Sequence, residues 1–387
     1  MKWEYKTLDQ LGTVSRGKSK HRPRNDPKLF GGKYPFIQTA DVKNADYYIT
    51  KYSDTYNESG LAQSKLWDKG TLCITIAANI ADTGVLAFPA CFPDSIMGFV
   101  PFEGVANTRF IKYCFDRLQR DCKQISQGTA QDNLSWEKLS TIKFCIPEYK
   151  EQCRIADILS AYDDLIENNQ KQIKLLEEAA QRLYKEWFVD LRFPGHENTE
   201  IVDGVPEGWK KERLVDIAEI QYGYAFDGTL FNADKNGTPI IRIRNIPQAE
   251  TMDYTTEHVS ENYLVQNGEI IVGMDGEFHI NAWAGNTAYL VQRVCCIRPK
   301  NTEIKGWLLQ AIYEPIKFFE HTVVGATVSH LGKKHLDSIY LLTSPEEFYE
   351  PFKTFFDKRL LLMNQNRKLR EARDRLLPKL MSGKVKV

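Results

Sequence analysis

QGTAQDNLSWEKLSTIKFCIP, residues 127–147, and VGATVSHLGKKHLDSIYLLTSP, residues 324–345, follow one plan: a Gly turn, a short helix, an apolar strand and a proline stop. Moving outward, the likeness continues in the same order. WEYKTLDQLGTVSRG (3–17) matches WKKERLVDIAEIQYG (209–223), pairing Trp3 with Trp209, Leu8 with Leu214 and Gly17 with Gly223. YPFIQTADV (34–42) answers to TPIIRIRNI (238–246), and WDKGTLCI (67–74) to VQNGEIIV (265–272). Self-similarity of this extent means one structural unit used twice, here a globular module of about 140 residues followed by a helix. The modules span 1–147 and 209–345. The helices span 148–192 and, with a C-terminal tail, 346–387, and a polar linker fills 193–208. Short β-rich runs such as GTLCITIA and GEIIVGM, bounded by Gly, Asn and Asp, predict mixed α/β modules with few long helices, hence an α+β fold in duplicate.

The helices read as a paired scaffold. Ile155, Leu159, Tyr162, Ile166, Asn169, Ile173, Leu176, Ala180, Leu183 and Trp187 step by alternating fours and threes, the spacing of a coiled-coil seam. In the second helix Phe352, Phe356, Met363 and Asn366 share that register, Arg359 interrupts it, and Leu369, Ala372, Leu376 and Leu380 continue on a shifted phase. The first helix is therefore about one turn (~3.6 residues) longer. Asn at a seam position fixes register when it meets its own kind, and Asn169 and Asn366 hold matching places. Charge also favours side-by-side packing: residues 147–206 hold 7 basic against 13 acidic residues, and 345–387 hold 11 against 6.

The formal net charge of the 387 residues is zero. That neutrality hides a basic arm, SRGKSKHRPRN (15–25), with Arg16, Lys18, Lys20, Arg22 and Arg24 at every second position. The second copy carries YAFDGTLFN after Gly223, aromatic and acidic in place of basic. One framework with two different surface loops suits two readers of different sequences. Gln38, Thr39 and Asp41, and at the repeat-matched place Arg242, Arg244 and Asn245, are candidates for base edges, since Arg pairs bidentately with guanine and Asn or Gln with adenine. Gln127, Thr129, Gln131 and Asn133, and Thr327, Ser329 and His330, add hydroxyl, amide and imidazole groups suited to phosphates or bases.

Catalytic chemistry is not legible. There is no Walker loop, no GxSxG elbow, no Gly-rich cofactor loop with an Asn/Asp-Pro-Pro-aromatic motif, no HExxH, and no CxxC among the eight cysteines. Reduced thiols, no metal site and no cofactor bound by this chain are expected. No apolar run is long enough to span a bilayer, and MKWEYKTLDQ has no secretory character, so a cytoplasmic protein without membrane association is expected.

The duplicated plan, the QGTAQDNLSWEKLSTIKFCIP block, KLLEEAAQRLYKEWF, VPEGW and RLLPKLMSGKV together resemble the specificity subunits of type I restriction-modification systems. The resemblance implies two target-recognition domains, each reading one half of a split duplex DNA site, and two spacer helices packed as an antiparallel coiled coil. It implies a non-catalytic DNA-binding chain with two kinds of partner: two adenine-N6 methyltransferase subunits using S-adenosylmethionine, and restriction/translocase subunits using ATP and Mg. Two other readings stay open: a coiled-coil scaffold with two adhesive modules and no DNA target, and a self-sufficient nuclease, for which Glu148-Tyr-Lys150, Glu303-Ile-Lys305 and Asp275 offer only short matches.

Overall fold

The computed structural model describes residues 3–76, 82–125, 136–322 and 330–385. The chain divides into two compact units, residues 1–165 with 369–387, and residues 166–368.

In the first unit a five-stranded sheet runs in the order Gly12–Arg16, Ile96–Pro101, Leu72–Thr75, Thr83–Leu86, Tyr48–Ile49. Only the last pairing is parallel. Leu72–Thr75 and Thr83–Leu86 are buried along their whole length, which is why they read as continuous runs and not as alternation. An 18-residue helix, Thr108–Ile125, packs against this sheet. It is longer than the sequence reading allowed, although Phe110, Ile111, Cys114, Phe115 and Leu118 do recur at helical spacing. Glu4–Lys6 pairs with Phe144–Ile146 at the edge of the unit.

The second unit repeats this order in part. A four-stranded sheet runs Ala218–Tyr222, Val294–Pro299, Ile270–Gly273, Ile280–Ala282, the parallel pairing of Thr238–Ile241 with Ala288–Leu290 lies in a separate five-stranded sheet, and Lys210–Arg213 pairs with Tyr340–Thr343. The described parts of the blocks 127–147 and 324–345 form a short helix and a strand in each copy, Trp136–Thr141 with Phe144–Ile146 and Lys333–Asp337 with Tyr340–Thr343, while the Gly turns read before them lie outside the described residues. Gly17 and Gly223 show why the repeat keeps glycine. Each donates its N–H to the neighbouring strand, to Ile96 O at 2.9 Å and to Val294 O at 3.0 Å. A Cβ would stand 2.2 Å from Phe92 O at Gly17, and 2.1 Å from Val291 O at Gly223. Only glycine fits such an approach of two backbones.

The long helices are Tyr149–Tyr184, prolonged by a π turn over Lys185–Val189, and Glu350–Leu380. At 36 against 31 residues the first is the longer, as the spacing of its seam predicts. Pro378 does not stop the second helix, which continues to Leu380. In the first unit Ile155 and Leu159 join Leu377, Leu380 and Met381 in one core with Leu8, Leu11, Phe110 and Phe144. The RLLPKLM segment thus completes the first module, and Arg117 donates to Met381 O at 2.8 Å. Buried Gln152 fixes the start of the first helix, accepting from Asn107 N–H at 3.1 Å and donating to Val105 O and Pro147 O, both at 3.0 Å.

In the second unit the partners of the first helix run backward. Asn169 donates to Asn366 Oδ1 at 2.9 Å, Glu177 accepts from Arg359 at 2.7 Å, and Tyr184 meets Phe352 edge-on. The two helices are therefore antiparallel. Trp187, Phe188, Phe193, Trp209 and Phe352 form an aromatic cluster, so KEWF closes the core of the second module. The stretch expected to be a polar linker is tied down: Phe193 is buried, and Ile201–Val202 and Val205–Pro206 form a hairpin turned by Asp203 and Gly204 at positive φ.

Ile155, Leu159, Ile166, Asn169, Phe352, Phe356, Asn366 and Leu380 are buried, and Tyr162, Ile173, Leu176, Leu183, Met363 and Leu376 half-buried. The shifted phase departs from expectation at Ala372, which is exposed. Leu377 is buried, and Arg373 turns inward to pair with buried Asp163, which also accepts from the Tyr113 hydroxyl. Arg359 is not a mere interruption, because its guanidinium also donates to Asn281 Oδ1 of the second module at 2.7 Å.

Candidate nucleic-acid interface

In the basic arm Arg16, Lys18 and Lys20 are exposed while Gly17 and Ser19 are buried, so the alternation of the sequence becomes a row of cations on one side. The arm is stapled to its module and does not hang free. Ser64 Oγ donates to Lys18 O at 2.7 Å, and the His21 N–H donates to Gln63 Oε1 at 3.0 Å. Arg22 donates to Ser19 O and His21 O at 2.6 and 2.8 Å, and so braces the turn. Arg24 is paired with Asp94 at 2.8 Å. Asp26 takes the His21 ring at 2.9 Å, and the Lys28 N–H and this ring hold its carboxyl below the usual range. Lys65, which sequence reasoning missed, joins the row: its ammonium stands 3.5 Å from the centroid of the Trp67 ring. Burial, then the nearby Lys18 charge, lower its pKa.

Gln38, Thr39 and Asp41 lie at the start of the short helix Thr39–Lys43. Asp41 Oδ2 accepts the Gln38 N–H at 2.7 Å and its Oδ1 accepts from Ser53 at 3.0 Å, so this carboxylate works as a cap. The Gln38 amide donates to Asp54 at 2.6 Å and remains exposed. The second module repeats the arrangement: Asn245 Oδ1 accepts the Arg242 N–H at 2.8 Å, over the turn Ile243–Asn245. Arg244 is held by Asp253 through two hydrogen bonds, at 3.2 and 2.5 Å, and Asn245 donates to Asp253 at 3.1 Å. Burial opposes ionisation of Asp253, but these partners outweigh it and its pKa is lowered.

Arg242, Ile243 and Arg244 line a groove of about 430 Å³ with Phe226, Phe231, Val291, Gln292 and Arg293. The Arg242 guanidinium lies 5.5 Å from the Phe231 ring centroid. Arg293, at φ 70, pairs with Asp275, whose other oxygen meets the His330 ring at 2.5 Å. His330 is thereby linked to the groove residue Arg293 through Asp275 and does not itself line the groove. Nothing in the spacing of the sequence pointed to Arg293, whereas Phe226 belongs to YAFDGTLFN, the aromatic loop that stands in place of the basic arm. Gln127, Thr129, Gln131, Asn133, Thr327 and Ser329 lie outside the described residues. Among the described residues no group of His, Cys, Asp and Glu is placed to hold a metal ion, and no helix is long and apolar enough to cross a membrane.

The arrangement offers cations, amides and aromatic walls, a set suited to phosphates and base edges. The family model for the type I restriction modification DNA specificity domain matches residues 1–178 and 206–347. The MjaIX type I restriction enzyme specificity subunit of Methanocaldococcus jannaschii is 26% identical over all of this chain and 94% of its own length. The EcoBI specificity subunit of Escherichia coli is 31% identical over 36% of this chain and 30% of its own. The crystal structure of the type I S subunit from M. genitalium matches with a TM-score of 0.57 at 16% identity, covering 98% of this chain and 96% of that one, and so shares the fold. On the two matched modules, this chain belongs to the type I restriction-modification DNA specificity family.

Proposed function

We propose that this chain is the non-catalytic DNA-recognition subunit of a type I restriction-modification complex in the cytoplasm, reading a bipartite duplex site with one module per half-site. One observation carries the reading most: at matched places on the same capped turn the first module presents Gln38 and the second Arg242, while Gly17 and Gly223 keep the same backbone approach. A shared frame with different polar groups is what two readers of different bases need. The long helices set the distance between half-sites and, with the module faces, dock two adenine-N6 methyltransferase subunits and the restriction/translocase subunits. S-adenosylmethionine, ATP and Mg belong to those partners.

Four residues inserted after Leu176 lengthen the helix by about 6 Å, against a base-pair rise of about 3.4 Å. Methylation mapping in cells carrying the complete system then finds both half-sites unchanged and the unread spacer longer. Altered half-site bases with an unaltered spacer would refute the role of the helices. Adenine methylation that persists when this chain is deleted would refute the function.

A further inference from the structure

Three arginines line the groove of the second module, and their surroundings differ. Arg244 is spent on Asp253, whose carboxylate also takes Asn245, and Arg293 is paired with Asp275. Among the described residues the Arg242 guanidinium has neither a hydrogen bond nor an ion pair. Its backbone is fixed by the Asn245 cap, and its side chain lies over Phe231 beside open space. An arginine held at its base by the Asn245 cap, with its guanidinium over an aromatic ring and the guanidinium N–H groups unpaired, loses little freedom when it takes a planar two-acceptor ligand. The N7 and O6 edge of guanine is such a ligand in the major groove.

We infer that Arg242 is the specificity-determining residue of the second module, recognising a guanine, while Arg244 and Asn245 with Asp253 are positioning residues that hold the turn carrying it. This rests on the function proposed above. The repeat places Gln38 at the corresponding turn of the first module, with its amide on Asp54.

The test is methylation mapping of host DNA in cells carrying the complete system with Arg242→Ala, Arg242→Lys or Arg244→Ala. Arg242→Lys keeps charge and packing but loses the fork, which guards against a variant that only misfolds. Both Arg242 variants are expected to relax one G·C position of one half-site, with discrimination there falling about 5- to 150-fold, the equivalent of ~1–3 kcal/mol. The other half-site stays intact. Arg244→Ala lowers the extent of methylation without changing the bases read, and the Asp253→Asn variant does the same. Relaxed bases with Arg244→Ala and none with the Arg242 variants would overturn the assignment. So would uniform loss across sequences in Arg242 variants that melt like the parent, since that marks a phosphate contact. Methylation that depends on this chain but keeps every base in both Arg242 variants refutes this inference alone, whereas methylation that ignores deletion of the chain refutes the function beneath it.

Discussion

Asn169 and Asn366 allow a quantitative test of how the helices are held in register. Both side chains are buried, and one hydrogen bond of 2.9 Å joins them. The remaining contacts, Asn366 to Ile166 O at 3.4 Å and Asn169 to Gln365 at 3.5 Å, are too long to replace it. Asn169→Leu or Asn366→Leu alone leaves one amide buried without a partner, and the expected loss is ~1–3 kcal/mol. The double variant removes both polar groups and adds two leucines to an apolar seam, so its stability returns to about the parent's or exceeds it. The coupling energy from the double-mutant cycle is therefore expected at ~1–3 kcal/mol. Urea unfolding of the full chain, followed by helical circular dichroism, measures all four corners. Losses that simply add would show that the two amides do not depend on each other, and would refute the register argument.

Arg373→Met strands the Asp163 carboxylate, which is buried beside Tyr113, and is expected to cost ~3–5 kcal/mol at neutral pH. Burial already raises the Asp163 pKa against the pull of Arg373, so its favourable contribution is present in acid and is lost as pH rises through the folded pKa. Losing Arg373 raises that pKa further. The deficit of the variant should therefore shrink as pH falls below it, which thermal melts across pH will check. Gly17→Ala and Gly223→Ala each drive a Cβ into a backbone carbonyl and should destabilise by at least ~1–3 kcal/mol; melts equal to the parent's would disprove the close approach. Lys18→Ala with Lys20→Ala should flatten the salt dependence of duplex binding by the assembled complex, by about 0.9 in slope for each phosphate left without its lysine. Arg22→Ala should act mainly through the turn it braces, seen as a lower melting temperature with little change in slope.

The duplication, the two mixed modules and the long seam were legible in the residues, because each rests on local spacing that survives any tertiary arrangement. Trp3 and Trp209, and Gly17 and Gly223, stand at matching places in the two copies, and the apolar run from Ile155 recurs at helical spacing. The 18-residue helix from Thr108 was not read, although its apolar residues have helical spacing, because the charges between them find partners only in the folded unit: Lys112 pairs with Asp116, Arg109 donates to Ser160, and Arg117 to Met381 O. What the chain could not disclose by itself was which of several similar polar groups is already satisfied. Arg242 and Arg244 are two residues apart and chemically identical, yet Asp253, just before the strand Tyr254–Thr255, takes hydrogen bonds from Arg244 while the Arg242 guanidinium lies over Phe231. Asp41 and Asn245, candidates for base edges by residue type, each also accept a backbone N–H at the start of their turn, which no spacing in the sequence announced. Arg359 interrupted the helical pattern, and it and Arg373 find acceptors in Glu177, Asn281 and Asp163. Secondary structure follows from periodicity along the chain, whereas the state of a charge depends on partners far away in sequence, and only the tertiary structure brings those within hydrogen-bonding distance.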